Sequence, residues 1–133
     1  MKLAIPATNA ALDAPADARF GRCACFVVVD LDTLEHEVIE NTAAAEMSGA
    51  GIAAATLVAN AGVQAVVVGN LGPKAMTTLL ARHIVPYTGV PGSVRDQVEA
   101  YKDGRLESLS SPNVGDKHGL GGGGRGMGGG GRG

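Results

Sequence analysis

The chain has no tryptophan, only two tyrosines and two phenylalanines. Proteins that hold single-stranded nucleic acid stack bases on aromatic faces, and this scarcity leaves no such platform. A basic footprint for DNA is missing too. The formal net charge is −2, and Lys117, Arg125 and Arg132 against Asp116 place +2 beyond Val114, leaving −4 on residues 1–114. DNA is therefore not an expected partner. Cysteine is nearly absent: Cys23 and Cys25 are the only two, and such i, i+2 positions on an extended segment stand at or beyond bridging distance. A reducing cytoplasm is the expected compartment. No apolar run of about 18 residues occurs, and Met1-Lys2-Leu3-Ala4-Ile5-Pro6 is too brief for an export signal, so no membrane partner is expected.

Catalytic constellations are also scarce. The apolar first strand carries no carboxylate of the kind a metal-dependent nuclease gathers there. No Walker A sequence occurs, and Gly49-Ala50-Gly51 is an incomplete dinucleotide fingerprint. No Ser-His-Asp or Cys-His arrangement stands out. These absences favour a binding protein over an enzyme.

What is present reads as one α/β domain over residues 1–110, followed by a glycine-rich tail over 111–133. From Gly115 to Gly133, 12 of 19 residues are glycine, too little apolar surface to offset the entropy of ordering, so the tail is expected to be disordered. Lys2 to Ile5 reads as a first strand stopped by Pro6. Phe26 to Leu31 and Glu35 to Glu40 read as a hairpin. Ser48 and Gly49-Ala50-Gly51 lead into an Ala-rich helix, Ile52 to Ala61, with Gly62 as its stop. The unbroken β-branched run Ala65-Val66-Val67-Val68 fits a central strand covered on both faces. Gly72 and Pro73 start a helix to Arg82, Ile84 to Tyr87 is a short strand, and Ser93 with Asp96 has capping-box spacing for a last helix ending near Gly104.

Right-handed crossovers then predict a mixed five-stranded sheet of order 3-2-1-4-5, with helices on both faces. In that topology Asn9, Arg19, Arg22, Cys23, Ser48 to Gly51, Gly69 to Pro73 and Gly89 to Ser93 converge at one end of the sheet. Three helix N-termini would face that end with unpaired N–H groups and positive dipole ends. The expected site is an anion cradle formed by Asn9, Arg19, Arg22, Gly49, Ala50, Gly51, Gly69, Asn70, Gly72 and Pro73.

Cys23 and Cys25, read as neighbours on one strand face, are either soft thiolate ligands or small core side chains. Cys23, nearer the loop, is the candidate metal ligand, and His118, just before the glycine tail, is a second. His36 and His83 read as surface residues. The cradle suits three classes of function: carriage of an anionic metal–sulfur cluster, a phosphate- or nucleotide-binding regulatory module, and a protein-interaction domain whose tail contacts a partner.

The succession Arg19-Phe20-Gly21-Arg22, Gly49-Ala50-Gly51, Val67-Val68-Gly69, Gly72-Pro73-Lys74-Ala75 and Val85-Pro86-Tyr87-Thr88-Gly89 resembles the dinitrogenase iron–molybdenum cofactor biosynthesis family. That family includes NifX-like carriers and the C-terminal domain of NifB. The resemblance covers Lys2 to Leu109. Members that handle the nitrogenase cofactor carry His directly before Phe-Gly-Arg; Arg19 stands there in this chain, which resembles the stand-alone, orange-protein-like branch. The resemblance implies a ribonuclease-H-like three-layer α/β fold without nuclease activity, a molybdenum–iron–sulfur or molybdenum–copper–sulfur cluster as cargo, and a cluster donor or acceptor protein as partner. The carrier itself is expected to be a monomer or weak dimer.

Overall fold

A computed structural model of the protein describes residues 1–46 and 49–113. Ser48, the candidate tail ligand His118 and the expected disordered tail over 111–133, apart from Ser111 to Asn113, lie outside the described residues.

The elements are β1 (Lys2–Ala7), β2 (Cys25–Asp30), β3 (His36–Glu40), a 3₁₀ turn (Thr42–Ala45), α1 (Ala50–Asn60), β4 (Ala65–Val68), α2 (Pro73–Ala81), β5 (Val85–Thr88), α3 (Val94–Lys102) and β6 (Glu107–Ser108). They form one mixed sheet of order β3-β2-β1-β4-β5-β6. β1 is antiparallel to β2 and parallel to β4, which is parallel to β5.

Period-two alternation along the central strands divides their side chains between two cores. Ala4, Phe26, Val28, Val66 and Val68 face α1 and α2, meeting Ala54, Ala55, Val58, Ala75, Met76 and Leu79. Leu3, Ile5, Val27, Val29 and Val67 face the other way, against Val94, Val98 and Ala100 of α3. All four residues of β4 are buried, as its unbroken apolar run requires.

Two expectations need correction. Among the described residues the sheet has six strands, not five: Glu107 and Ser108 pair antiparallel with Thr88 and Tyr87. These two polar, exposed residues give no local strand signal. Their neighbours draw them in, since Leu106 is buried in the α3-side core and Leu109 packs against the other. The first strand also continues through Pro6 to Ala7. β4 accompanies β1 only at Leu3 and Ala4; beyond them the Ala16–Asp17 segment lies alongside, with Ala7 bridging Ala16 and the Asp17 N–H donating to Pro6 O at 2.9 Å. Pro6 thus sits where the ladder gives way to a loop, a position proline tolerates.

Candidate functional site

The C-terminal ends of β1, β4 and β5 and the beginning of β2 lie at one end of the sheet, as their relative directions require. The Arg19–Arg22 turn occupies this end, closed by the Arg22 N–H donating to Arg19 O at 3.2 Å. Phe20 anchors it, 1% exposed with its ring 5.4 Å from that of Phe26. Burial of that aromatic surface holds the two flanking arginines at the rim.

Those arginines differ in what surrounds them. Arg19 donates from Nε and Nη2 to the two oxygens of Asp17, at 3.0 and 2.9 Å. The Asp17 side chain is 7% exposed and that of Arg19 65%. The Arg19 side-chain bond holds the Asp17 carboxyl below its ordinary range. Arg22 instead donates from Nη1 to the carbonyls of Ala44 and Glu46, at 2.8 and 2.6 Å. Carbonyl partners carry no net charge, so the Arg22 positive charge is not cancelled by them, whereas that of Arg19 is matched by a carboxylate.

Backbone approaches bring the remaining segments together. The Asn70 N–H donates to Ala18 O at 2.8 Å, and Asn70 forms a parallel bridge with Arg19. A Cβ on Gly69 would lie 2.6 Å from Ala18 Cβ, and one on Gly21 would lie 2.9 Å from Gly51 N. Both distances are closer than carbon atoms pack, so glycine is what lets the turn touch the end of β4 and the start of α1. Gly51 itself sits 3.1 Å, from its would-be Cβ, against Ala75 in the first turn of α2. Arg19, Gly21, Ala50, Gly51, Gly69 and Asn70 are thus assembled around the start of two helices. Gly49 caps α1 in a left-handed conformation, φ 74°, and Gly72 and Pro73 open α2. Asn9 is exposed in the loop after β1, where its carbonyl accepts the Ala11 N–H at 3.0 Å.

Among the described residues two of the three helix starts, not all three, lack a side-chain cap. Neither α1 nor α2 has a side-chain cap bond. At α3 the Ser93 hydroxyl accepts the Asp96 N–H and the Asp96 carboxylate accepts the Ser93 N–H. The next two N–H groups, of Val94 and Arg95, donate to Ala14 O and Leu12 O, both at 2.9 Å. The protein's own groups satisfy the donors expected there for a ligand.

The cysteines do not share a face. Cys23 precedes β2, so strand alternation does not reach it; it lies in the α1/α2-side core, and Cys25 in the α3-side core. Cys23 is 0% exposed, and burial pushes its thiol up to about 12, so it is protonated at neutral pH and poor as a ligand. Among the described residues no group of three or more His, Cys, Asp or Glu side chains is placed to hold a metal ion.

Three organising residues escape local sequence reading. Asp17 carries the only hint, two positions ahead of Arg19. Asn41 is 4% exposed and donates from Nδ2 to Gly21 O and Cys23 O at 3.2 and 2.9 Å, while its Oδ1 accepts the Ala43 N–H. Asn113 binds the Gly69–Leu71 loop across 42 to 44 residues of sequence, a separation that no local pattern spans.

Comparison with known proteins agrees in direction. Residues 1–104 match the family described as dinitrogenase iron-molybdenum cofactor. A Methanocaldococcus jannaschii protein, itself uncharacterized, is 37% identical over 112 residues, covering 82% of this chain and 92% of its own. The apo form of the orange protein from Desulfovibrio gigas is 36% identical with a TM-score of 0.82, over 84% of this chain and 95% of that one. A NifB-like protein from Thermotoga is 31% identical with a TM-score of 0.74, over 83% and 94%.

Proposed function

Because the chain belongs to the dinitrogenase iron-molybdenum cofactor family, we propose that it binds and carries an anionic metal–sulfur cluster at the strand-end cradle, without catalysing a reaction on it. The observation that carries this reading is the convergence of two uncapped helix starts, α1 and α2, against the Arg19–Arg22 turn. Helix N-termini present N–H donors and positive dipole ends, which suit the sulfide surface of a cluster that brings its own metal ligands.

In this reading Gly49, Ala50 and Gly51 at α1, and Gly72 with Pro73 at α2, frame the cargo. Gly69 and Asn70 form its floor between them. The Asn70 N–H is already used by Ala18 O, so Asn70 contributes its carboxamide. Asn9 lies on the outer loop, Arg19 offers guanidinium edges, and Arg22 supplies net positive charge. Cys23 is left out of the ligand set by its burial. The cargo is a molybdenum–iron–sulfur or molybdenum–copper–sulfur cluster, exchanged with a donor or acceptor protein in a reducing cytoplasm by a monomer or weak dimer.

Anaerobic purification from the native source, with visible absorption and metal and sulfide analysis, tests the reading. Stoichiometric molybdenum and sulfide with iron or copper, and a charge-transfer band, are expected. A colourless protein that takes up neither thiomolybdate with copper nor an iron–sulfur precursor overturns it. Saturable, metal-independent binding of a nucleotide by that protein would assign the same N–H donors to phosphate. Within a positive result, Arg22→Ala is expected to weaken uptake more than Arg19→Ala, because among the described residues Arg19 is paired with a carboxylate and Arg22 only with carbonyls; equal effects would remove that distinction.

A further inference from the structure

β3 forms one edge of the sheet, and among the described residues no strand pairs with its outer side. Bonds at its two ends fix which of its backbone groups are used: the Asp30 N–H donates to Glu35 O at 2.9 Å, and the Asn41 N–H donates to Ala24 O at 3.1 Å. Bonded pairs alternate along an antiparallel ladder. With Glu37 opposite Val28 and Ile39 opposite Phe26, those two residues turn their N–H and C=O groups toward β2, and His36, Val38 and Glu40 turn theirs outward. The side chains of the same three residues share one face, opposite to that of Glu37 and Ile39. All three are exposed, Val38 to 40%.

An open row of donors and acceptors is a template for another strand, and the side chains here restrict which strand fits. When a second copy is laid antiparallel with Val38 opposite its own counterpart, His36 stands against Glu40 of the second copy, and Glu40 against its His36. All three pairs are then of the bonded kind, so every outward N–H and C=O of these residues meets a partner. The imidazole carries an N–H donor in both protonation states and the carboxylate accepts it, so the polar ends match while the apolar centre closes on itself. On the opposite face Glu37 meets Ile39, not a second carboxylate. Sliding the copy by two residues sets Val38 against His36 or Glu40 and leaves the polar ends unmatched. A parallel, in-register alignment sets each charge beside its own kind, which is unfavourable. The strip is thus self-complementary in one two-fold arrangement, the isologous kind that closed dimers use.

We infer that the outer edge of β3 is the interface between two copies of this chain, joined antiparallel about Val38 into one continuous sheet, with the His36–Glu40 pairs setting the register. A strand of five residues buries far less surface than a permanent dimer requires, so the association is weak and depends on concentration. The inference stands independently of the cluster-carrying reading.

The test uses the full-length apoprotein, followed by sedimentation velocity and by amide exchange in NMR from about 5 μM to about 1 mM, a range that brackets weak dissociation constants. Wild type is expected to self-associate at the upper end, and the His36, Val38 and Glu40 amides to gain protection as concentration rises. His36→Glu sets carboxylates against each other at both ends of the strip and is expected to weaken association about tenfold. Adding Glu40→His restores opposite pairs and is expected to recover the wild-type affinity. Val38→Pro removes a donor that β2 does not use, at an edge where proline is tolerated; it is expected to abolish association while the dilute protein unfolds near the wild-type temperature. A wild type that stays monomeric across the range overturns the inference. Protection of Val38 that is the same at every concentration also overturns it, by assigning the edge to residues of the same chain. Association that neither His36→Glu nor Val38→Pro weakens overturns it too, by placing the contact elsewhere.

Discussion

At Asp17 a carboxylate with a 7% exposed side chain holds Arg19 through both oxygens and also accepts the Arg19 N–H at 2.9 Å. Charge-assisted bonds of this kind contribute about 1.5–3 kcal/mol when buried; with Arg19 largely exposed, Asp17→Asn is expected to cost about 1–2 kcal/mol in denaturant unfolding. The pH dependence follows from the lowered Asp17 pKa, caused first by the Arg19 side-chain bond. Asp17 binds its proton more readily in the unfolded chain, so the stabilisation is present above the ordinary value of 3.8 and is lost as pH falls below it. Unfolding titrations between about pH 5 and 2 should show a steeper decline for wild type than for Asp17→Asn; parallel curves would mean that the ion pair contributes nothing. The Cys23 thiol has the opposite dependence. Raised by burial to about 12 from 9.0, it favours the folded state fully below the unfolded value and loses that contribution as pH climbs between the two. Native protein at pH 8 should resist alkylation at Cys23 until denaturant is added, and rapid native labelling read by mass spectrometry would contradict its burial.

Among the elements, those with a strong local pattern were legible in advance and those held by distant contacts were not. β4 follows its Ala-Val-Val-Val run to the residue, Pro73 stands at the start of α2, and Ser93 and Asp96 form the capping box that their spacing announced. β6 has no such pattern, because Leu106 and Leu109 outside it carry the packing. The same division runs through the site. Glycines at turns mark where the chain bends, but not that Gly21 and Gly69 exist for contact with α1 and Ala18, nor that loop carbonyls would close the start of α3. Two substitutions separate these roles. Ser93→Ala removes one cap bond and should cost about 1 kcal/mol with cargo affinity unchanged, since α3 is closed by the protein itself. Gly69→Ala places a methyl group 2.6 Å from Ala18 Cβ and 2.8 Å from Ala18 O. Overpacking of this kind costs about 1–3 kcal/mol, and displacing the Arg19 turn should weaken thiomolybdate uptake in proportion. Intact uptake by a destabilised Gly69→Ala protein would detach the turn from the site.

For the molecule as a whole, the two faces of the sheet are covered by helices, while its end gathers β1, β2, β4, β5, α1 and α2 in one place. In the proposed cluster-binding reading, a ligand seated there would touch pieces from residues 9 to 73 that are distant in sequence, a surface that unfolding disperses. Its binding energy then adds to global stability by mass action, about 2.7 kcal/mol at a hundredfold excess over Kd. Thermal unfolding with thiomolybdate and copper should therefore rise by several degrees in wild type, rise by the same increment in Ser93→Ala from its lower starting point, and rise less in Arg22→Ala. Equal increments across all three would place the ligand away from the Arg19–Arg22 turn. An increment smaller in Ser93→Ala than in wild type would mean that the α3 end of the sheet takes part in holding the cargo, contrary to its self-satisfied capping box.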